Sequence, residues 1–160
     1  MGPTTWAQWR VELARAVRGL DDGEAVLVEA PDRSARDARV PRRVLLPARR
    51  VRTRPWVRLA RMDDLLRGSC PGAVAIGGTF PWTPDEHADL LRSGWHLSHA
   101  DGTDYVRFWP DDVPQGPFLP QDDADRAVVA VVRTVTEVFD PQARAEGETG
   151  SPTLPTISPG

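Results

Sequence analysis

Few side chains in this chain could bind zinc or act as a nucleophile with its base. They are Cys70, His87, His96 and His99. His96 and His99 fall on opposite faces of an expected strand, which is poor geometry for chelating zinc. A Cys70 nucleophile would need a histidine base close in space, whereas a small residue of the core explains a lone cysteine without further partners. The sequence therefore predicts no catalytic residue, no cofactor and no metal site.

Paired carboxylates could perform general acid–base chemistry, but here each pair lies at an expected turn or helix start, where capping and turn formation explain acidic residues. The segment Gly77-Gly78 lacks the spacing and the lysine of a phosphate-binding loop, and no hydrolase Gly-x-Ser-x-Gly elbow occurs. We therefore do not expect an enzyme. The carboxylate pairs are Asp21-Asp22, Asp63-Asp64, Asp111-Asp112 and Asp122-Asp123.

Arginine gives the strongest electrostatic signal. The chain has no lysine, and its arginines crowd the segment Arg33–Arg61, although the net charge is −3. Such a cluster around Trp56 could bind single-stranded nucleic acid, could attract an acidic protein partner, or could keep a solvated loop and sheet edges from aggregating. No RNA-binding signature accompanies it, which favours the last interpretation and leaves the other two open.

Three amphipathic helices are expected to position these residues. The first spans about Trp6 to Leu20 and begins with a Thr5–Gln8 capping box. The second begins with a capping box at Thr83 and ends at Gly94, which supplies a left-handed stop. The third runs from about Asp122 to Phe139 and shows apolar residues at helical spacing.

Short β-branched or alternating runs predict the strands between these helices. The polar segment Pro31–Arg39 is expected to be a mobile loop, and Pro110–Pro120 a second loop. The element order α-β-β-β-(β)-α-β-β-α indicates an α+β fold, an antiparallel sheet with flanking helices. The expected strands are Ala25–Glu29, a short one around Arg43–Leu46, Trp56–Arg61 and an interrupted one within Leu65–Ile76, followed by a hairpin.

That β-hairpin comes directly after the second helix. The pair Asp101-Gly102 is typical of a type I′ turn, which would place Leu97 opposite Val106 and Trp95 opposite Phe108. These apolar pairs would share one face, packed against a helix, and a slip of one residue would destroy the segregation. The opposite face would then carry His96, Ser98, Tyr105 and Arg107.

The sheet face left open by this register is the predicted partner surface. Exposed aromatic and arginine side chains on such a face could bind a peptide or a second subunit. The predicted partner-binding residues are Trp56, Arg58, Tyr105, Arg107 and Trp109.

Length and composition predict one domain over residues 1–140. A disordered tail is expected over 141–160, which is rich in Pro, Gly, Ser and Thr. No apolar stretch is long enough for a transmembrane helix, and the first residues lack the basic and apolar regions of a secretory signal. One cysteine fits a reducing compartment. We therefore expect a cytoplasmic protein without a membrane partner.

Several of these features occur together in a known family: the leading amphipathic helix, the strand Trp56-Val57-Arg58-Leu59, the junction Leu90-Leu91-Arg92-Ser93-Gly94-Trp95, the short hairpin and the closing valine-rich helix. On these features residues 5–140 resemble the TY-Chap domains of actinobacteria, which are grouped with type III secretion chaperones and YbjN-like proteins. The chain departs from the family pattern at Arg58, where glutamine would be expected, and at Arg67-Gly68-Ser69, where an acidic residue and an asparagine would be expected.

The resemblance implies a secretion-chaperone-like fold and a non-enzymatic domain that binds peptide segments of a client protein, often as a homodimer. Strand or apolar-groove recognition would supply the binding, and charge complementarity would set the choice of client. The alternative is a nucleic-acid-binding module that uses the Arg33–Arg61 cluster.

Overall fold

The computed structural model describes residues 2–40, 49–98, 102–110, 121–149 and 152–160. Within them the helices are α1 (Trp6–Arg18), α2 (Pro84–Arg92), α3 (Gln121–Thr134) and α4 (Gln142–Thr149). The strands are β1 (Ala25–Glu29), β2 (Arg36–Val40), β3 (Arg49–Thr53), β4 (Trp56–Met62), β5 (Leu65–Cys70), β6 (His96–Leu97), β7 (Tyr105–Trp109) and β8 (Thr156–Pro159).

Six of these strands form one antiparallel sheet in the spatial order β6-β7-β5-β4-β1-β8, and β2 pairs with β3 in a separate two-stranded sheet. Both edges of the larger sheet are short strands, two residues in β6 and four in β8. Short edge strands limit unwanted pairing with other chains. The α+β fold with an antiparallel sheet and flanking helices is confirmed.

The helices pack on one face of the larger sheet and share a core with it. Trp9, Leu13 and Val17 of α1 recur at helical spacing and are fully buried, and α1 also packs against α3. Because these side chains leave water together with alternate residues of the strands, burial of apolar surface stabilises helix and sheet at once. The strand residues of this core are Val26, Val28, Val57, Leu59, Leu66, Cys70, Tyr105 and Trp109.

The helix starts follow the capping predictions closely. Thr5 accepts a hydrogen bond from the Gln8 N–H at the start of α1, but the Gln8 side chain accepts from Thr4, so the expected box is not closed there. At α2 the box is complete, because Thr83 accepts from the Glu86 N–H while Glu86 accepts from the Thr83 N–H.

The third helix is present as α3, which passes into a π-helical turn over Val135–Phe139. In that turn the Asp140 N–H donates to the Val135 carbonyl at 2.7 Å. Phe139 then stacks on Trp82, with ring centroids 5.2 Å apart, so the end of the helix is fixed against the segment that leads into α2.

The hairpin after α2 has a register one residue away from the prediction. His96 pairs with Val106, and Leu97 with Tyr105, whereas a type I′ turn at Asp101-Gly102 would pair Leu97 with Val106. The predicted register is therefore wrong, and the slip exchanges the two faces of β7. Burial of the larger aromatic side chains of β7 outweighs the preference for a two-residue turn.

Two segments differ from the prediction of irregular structure. Pro31–Arg39 contains a 3-10 turn and most of β2, so the prediction of a mobile loop is wrong. Where the composition predicted a disordered tail over 141–160, the structure has α4 and β8. Leu154 and Ile157 pack against the core, and such tertiary contacts cannot be recognised from composition.

Other predictions fall outside the described residues. These are the short strand around Arg43–Leu46, the turn residue Asp101, the possible ligand His99 and most of the loop Pro110–Pro120.

Candidate functional site

The six-stranded sheet has two faces of different chemistry. Because successive strand residues point to opposite sides, the register assigns each residue either to the covered face, which packs against the helices, or to the outer face. None of the outer-face residues belongs to the core that the helices share. On β1, β4, β5 and β7 the outer-face residues are Ala25, Leu27, Glu29, Trp56, Arg58, Ala60, Met62, Leu65, Arg67, Ser69, Val106 and Phe108.

β7 turns three of the predicted partner-binding residues to the covered face. Tyr105 and Trp109 are buried there. Arg107 donates a hydrogen bond to the Ser93 carbonyl, and its guanidinium lies over the Trp109 ring, 5.2 Å from the centroid. The expectation that these three side chains share the outer face is therefore wrong, and the register slip explains it.

The Gly94-Trp95 junction, which carried much of the family resemblance, belongs to this covered side. Gly94 has a φ of +90°, and a Cβ there would lie 2.9 Å from Nη1 of Arg107. The indole N–H of Trp95 donates to Thr134 Oγ1 at 3.0 Å, and its ring meets Trp109 edge to face at 6.4 Å. The junction thus ties α2, α3 and β7 together and acts as a scaffold.

Two titratable groups are also buried on the covered face. Burial raises the pKa of the Cys70 thiol well above its usual value, so the thiol stays protonated and unreactive. Tyr105 is hydrogen-bonded to Nδ1 of His87 on α2, and burial raises the pKa of Tyr105 to about 12. The interpretation of Cys70 as a core residue is confirmed.

Trp56 and Arg58 lie on the outer face, two residues apart on β4. Arg58 stands opposite Leu27 of β1 and Ser69 of β5, at the middle of the sheet. Within the part of the chain that the structure describes, Arg58 forms no ion pair. These two of the five predicted residues therefore share a surface, and the other three do not reach it.

Sequence reasoning missed the apolar residues that complete the outer face. Val106 lies opposite Ser69, and Phe108 lies opposite Arg67. Phe108 is 40% exposed, whereas its neighbour Trp109 is 2% exposed. The alternation along β7 was the available signal, but the predicted register assigned it to the wrong face.

The charges at one end of the outer face are balanced within the chain. Arg54 reaches Glu29 at 3.0 Å and Asp32 at 3.2 Å. Glu29 is therefore paired with Arg54 and not with its outer-face neighbour Arg58.

Most of the described arginines between Arg33 and Arg61 have acidic or carbonyl partners. Arg33 pairs with Asp140, and Arg36 forms a two-pronged pair with Glu86. Burial alone would raise the pKa of Glu86, but hydrogen bonds from Arg36 and its helix cap outweigh burial and lower it. Intramolecular pairs of this kind compete with the phosphate contacts that nucleic-acid binding requires.

The described residues contain neither a metal centre nor a membrane span. No group of three or more His, Cys, Asp or Glu among them could hold a metal ion. No helix in that part of the chain is both long and apolar enough to cross a membrane.

Comparison with protein-family models matches residues 3–145 to TY-Chap3, described as a T3SS (YopN, CesT) and YbjN peptide-binding chaperone. No curated protein and no solved structure matches the chain. The match spans the structure up to the first turn of α4 and leaves out β8. It confirms the family inferred from the helix order and the Gly94-Trp95 junction, while an actinobacterial origin stays a prediction. The chain belongs to the TY-Chap3 family of peptide-binding chaperones.

Proposed function

We propose that this protein holds an extended segment of a client protein on the outer face of its sheet, without catalysing a reaction. The observation that carries the proposal is that Leu27, Trp56 and Phe108 lie on the same face of the sheet as Arg58, a face that takes no part in the core. Aromatic residues and arginine are the side chains that most often dominate binding energy in protein interfaces. The family supports a peptide as the ligand.

The outer face also indicates which client chemistry it would prefer. An extended segment presents alternate side chains to the sheet, with the same two-residue period as the strands. Apolar side chains of the client would pack on Trp56 and Phe108, and a carboxylate between them would meet the Arg58 guanidinium, which favours bidentate pairing. We therefore expect an extended client segment that alternates apolar and acidic residues.

The proposal can be tested by selecting peptides from a displayed library for binding to the full chain. The Kd of the selected peptides is then measured. Selected peptides should alternate apolar and acidic residues. Arg58→Glu and Phe108→Asp should each weaken binding about thirtyfold, which corresponds to about 2 kcal/mol, the loss expected for a central interface residue.

The matched control variants make the same kinds of substitution, but on the exposed surfaces of helices α1 and α3 instead of the outer face. Arg10→Glu on α1 changes an exposed arginine, and Val129→Asp on α3 changes a valine that is 65% exposed. Both controls should bind the selected peptides like the unaltered chain. Equal affinities for Arg58→Glu and Arg10→Glu would contradict the outer face as the binding surface.

A homodimer and a cytoplasmic location are part of the same proposal. The family resemblance supports the dimer, and the single cysteine supports a reducing compartment. Light scattering on the purified chain tests the dimer directly. A monomeric mass at all protein concentrations would contradict the proposed homodimer. Nucleic-acid binding stays the alternative prediction, and lack of retention on heparin at low salt would argue against it.

A further inference from the structure

Strand β8 forms one edge of the six-stranded sheet, and its residues lie outside the part of the chain that matches the family. The match ends at residue 145, whereas Thr156–Pro159 completes the sheet by pairing with β1. The family region thus supplies β1 as a sheet edge, and the 152–160 segment of this chain covers that edge.

The backbone pattern shows which groups of β1 the segment satisfies. The Gly160 N–H donates to the Ala25 carbonyl at 3.0 Å, and on the other side of β1 the Arg61 N–H donates to the Glu24 carbonyl at 2.9 Å. Bonded pairs alternate along an antiparallel ladder. The N–H groups of Leu27 and Glu29 therefore point to β8 and would be left unpaired without it.

Docking of β8 depends on few side chains. Ile157 stands opposite the buried Val28, Leu154 packs against the core, and the Pro155 carbonyl accepts a 2.8 Å hydrogen bond from the indole N–H of Trp9. Thr156 and Pro159 are exposed. Strand β8 is thus held by a four-residue ladder and a few apolar contacts.

The space beside β8 is incompletely filled. A groove of about 680 Å³ runs between the end of α1 and β8, with Ala16, Leu20, Val26 and Ile157 among its lining residues. A ligand strand with a larger side chain at the Ile157 position would bury more apolar surface than β8 does.

We propose that the edge of β1 is a second peptide site, a strand-addition site, and that β8 occupies it as an internal stand-in for a client strand. The ligand would be an extended segment with an apolar residue facing the core, as Ile157 does. Proline fits in such a strand at positions whose N–H would point away from β1, as at Pro159, which pairs with Val26. The proposal rests on the peptide-binding function and adds to it a competition between client and β8.

The test uses the full chain and, as its probe, a synthetic peptide of residues 152–160. In the unaltered chain the attached segment acts at an effective concentration in the millimolar range, so micromolar peptide should not bind. Ile157→Asp should release the attached segment, because it replaces a half-buried apolar side chain that packs against the core by a charged one. Hydrogen exchange at the Leu27 and Glu29 amides should then accelerate at least tenfold, and added peptide should bind and restore the protection.

The matched control is Thr156→Asn, an uncharged change opposite Glu29 on the other side of the strand from Ile157; it should leave exchange and peptide binding unchanged. A second variant, Ser158→Pro, removes the N–H that points to β1 without altering the core, and Ser158→Ala controls for the lost hydroxyl. Ser158→Pro therefore serves if Ile157→Asp does not fold, and it should show the same acceleration and rescue.

Unchanged exchange at Leu27 and Glu29 in Ile157→Asp and Ser158→Pro would overturn the proposal, since β8 would not be what protects the edge. Faster exchange without peptide binding at millimolar concentration would also overturn it. Both outcomes are separate from the outer-face test, because Arg58 and Phe108 take no part in pairing with β8.

Discussion

The covered and outer faces of the sheet are made by alternate residues of the same strands, yet they differ in every property that decides function. On β7, Trp109 is 2% exposed, and the adjacent Phe108 is 40% exposed. On β4, Leu59 is buried in the core, and Arg58, one residue earlier, is not. The difference shows that the register decides on which face a side chain lies, and a shift of one residue would exchange the two sets.

The largest expected effect separates the two adjacent aromatics of β7. Trp109→Ala removes a buried ring that packs against Trp95 and Arg107, and the resulting cavity should lower the free energy of unfolding by about 3–5 kcal/mol. Phe108→Ala, the control, should lower it by less than about 1 kcal/mol. Urea denaturation of both variants measures this, and equal losses would contradict the assignment of faces.

A smaller effect is expected where the covered face has no room for a methyl group. A Cβ at Gly68 would lie 2.8 Å from Cζ3 of Trp109 and 3.2 Å from Cη2 of Trp95. Gly68→Ala should therefore cost about 1–3 kcal/mol of unfolding free energy through overpacking. Ser69→Ala, on the outer face, should stay within about 0.5 kcal/mol. A neutral Gly68→Ala would mean that the two tryptophans do not meet over this strand.

The features that the sequence predicted correctly depend on residues that are close together in the chain. The Thr83 capping box and the Gly94 stop depend on atoms within one helical turn, and the structure has both. Trp56 and Arg58 were assigned correctly to one face, because β4 shows its alternation without reference to a turn.

What could not be predicted depends on contacts between distant residues. The hairpin register is set by burial of Tyr105 and Trp109 against β5 and the helices. The residue types in the turn give no information about this burial. The place of β8 depends on Trp9, whose indole meets Pro155 at a separation of 146 residues. A segment rich in proline and threonine therefore resembles a disordered tail in composition, although its apolar residues have a docking site.

The smallest expected effect concerns Tyr105 and is seen only at alkaline pH. Titration of its phenol in the folded and the unfolded chain tests which face of the sheet Tyr105 occupies. It is the only tyrosine of the chain, so ultraviolet absorbance of the phenolate reports on it alone. Burial raises its pKa to about 12, from about 10 in an unfolded chain. The folded protein should show little phenolate absorbance up to about pH 11, whereas the urea-unfolded chain should titrate near pH 10. Because the folded pKa is the higher one, the neutral phenol contributes its full stability below pH 10, and that contribution is lost as the pH rises towards 12.

The Tyr105→Phe variant, which has no tyrosine, supplies the absorbance baseline. A midpoint near 10 in the folded chain would place Tyr105 in water and restore the register expected from a type I′ turn.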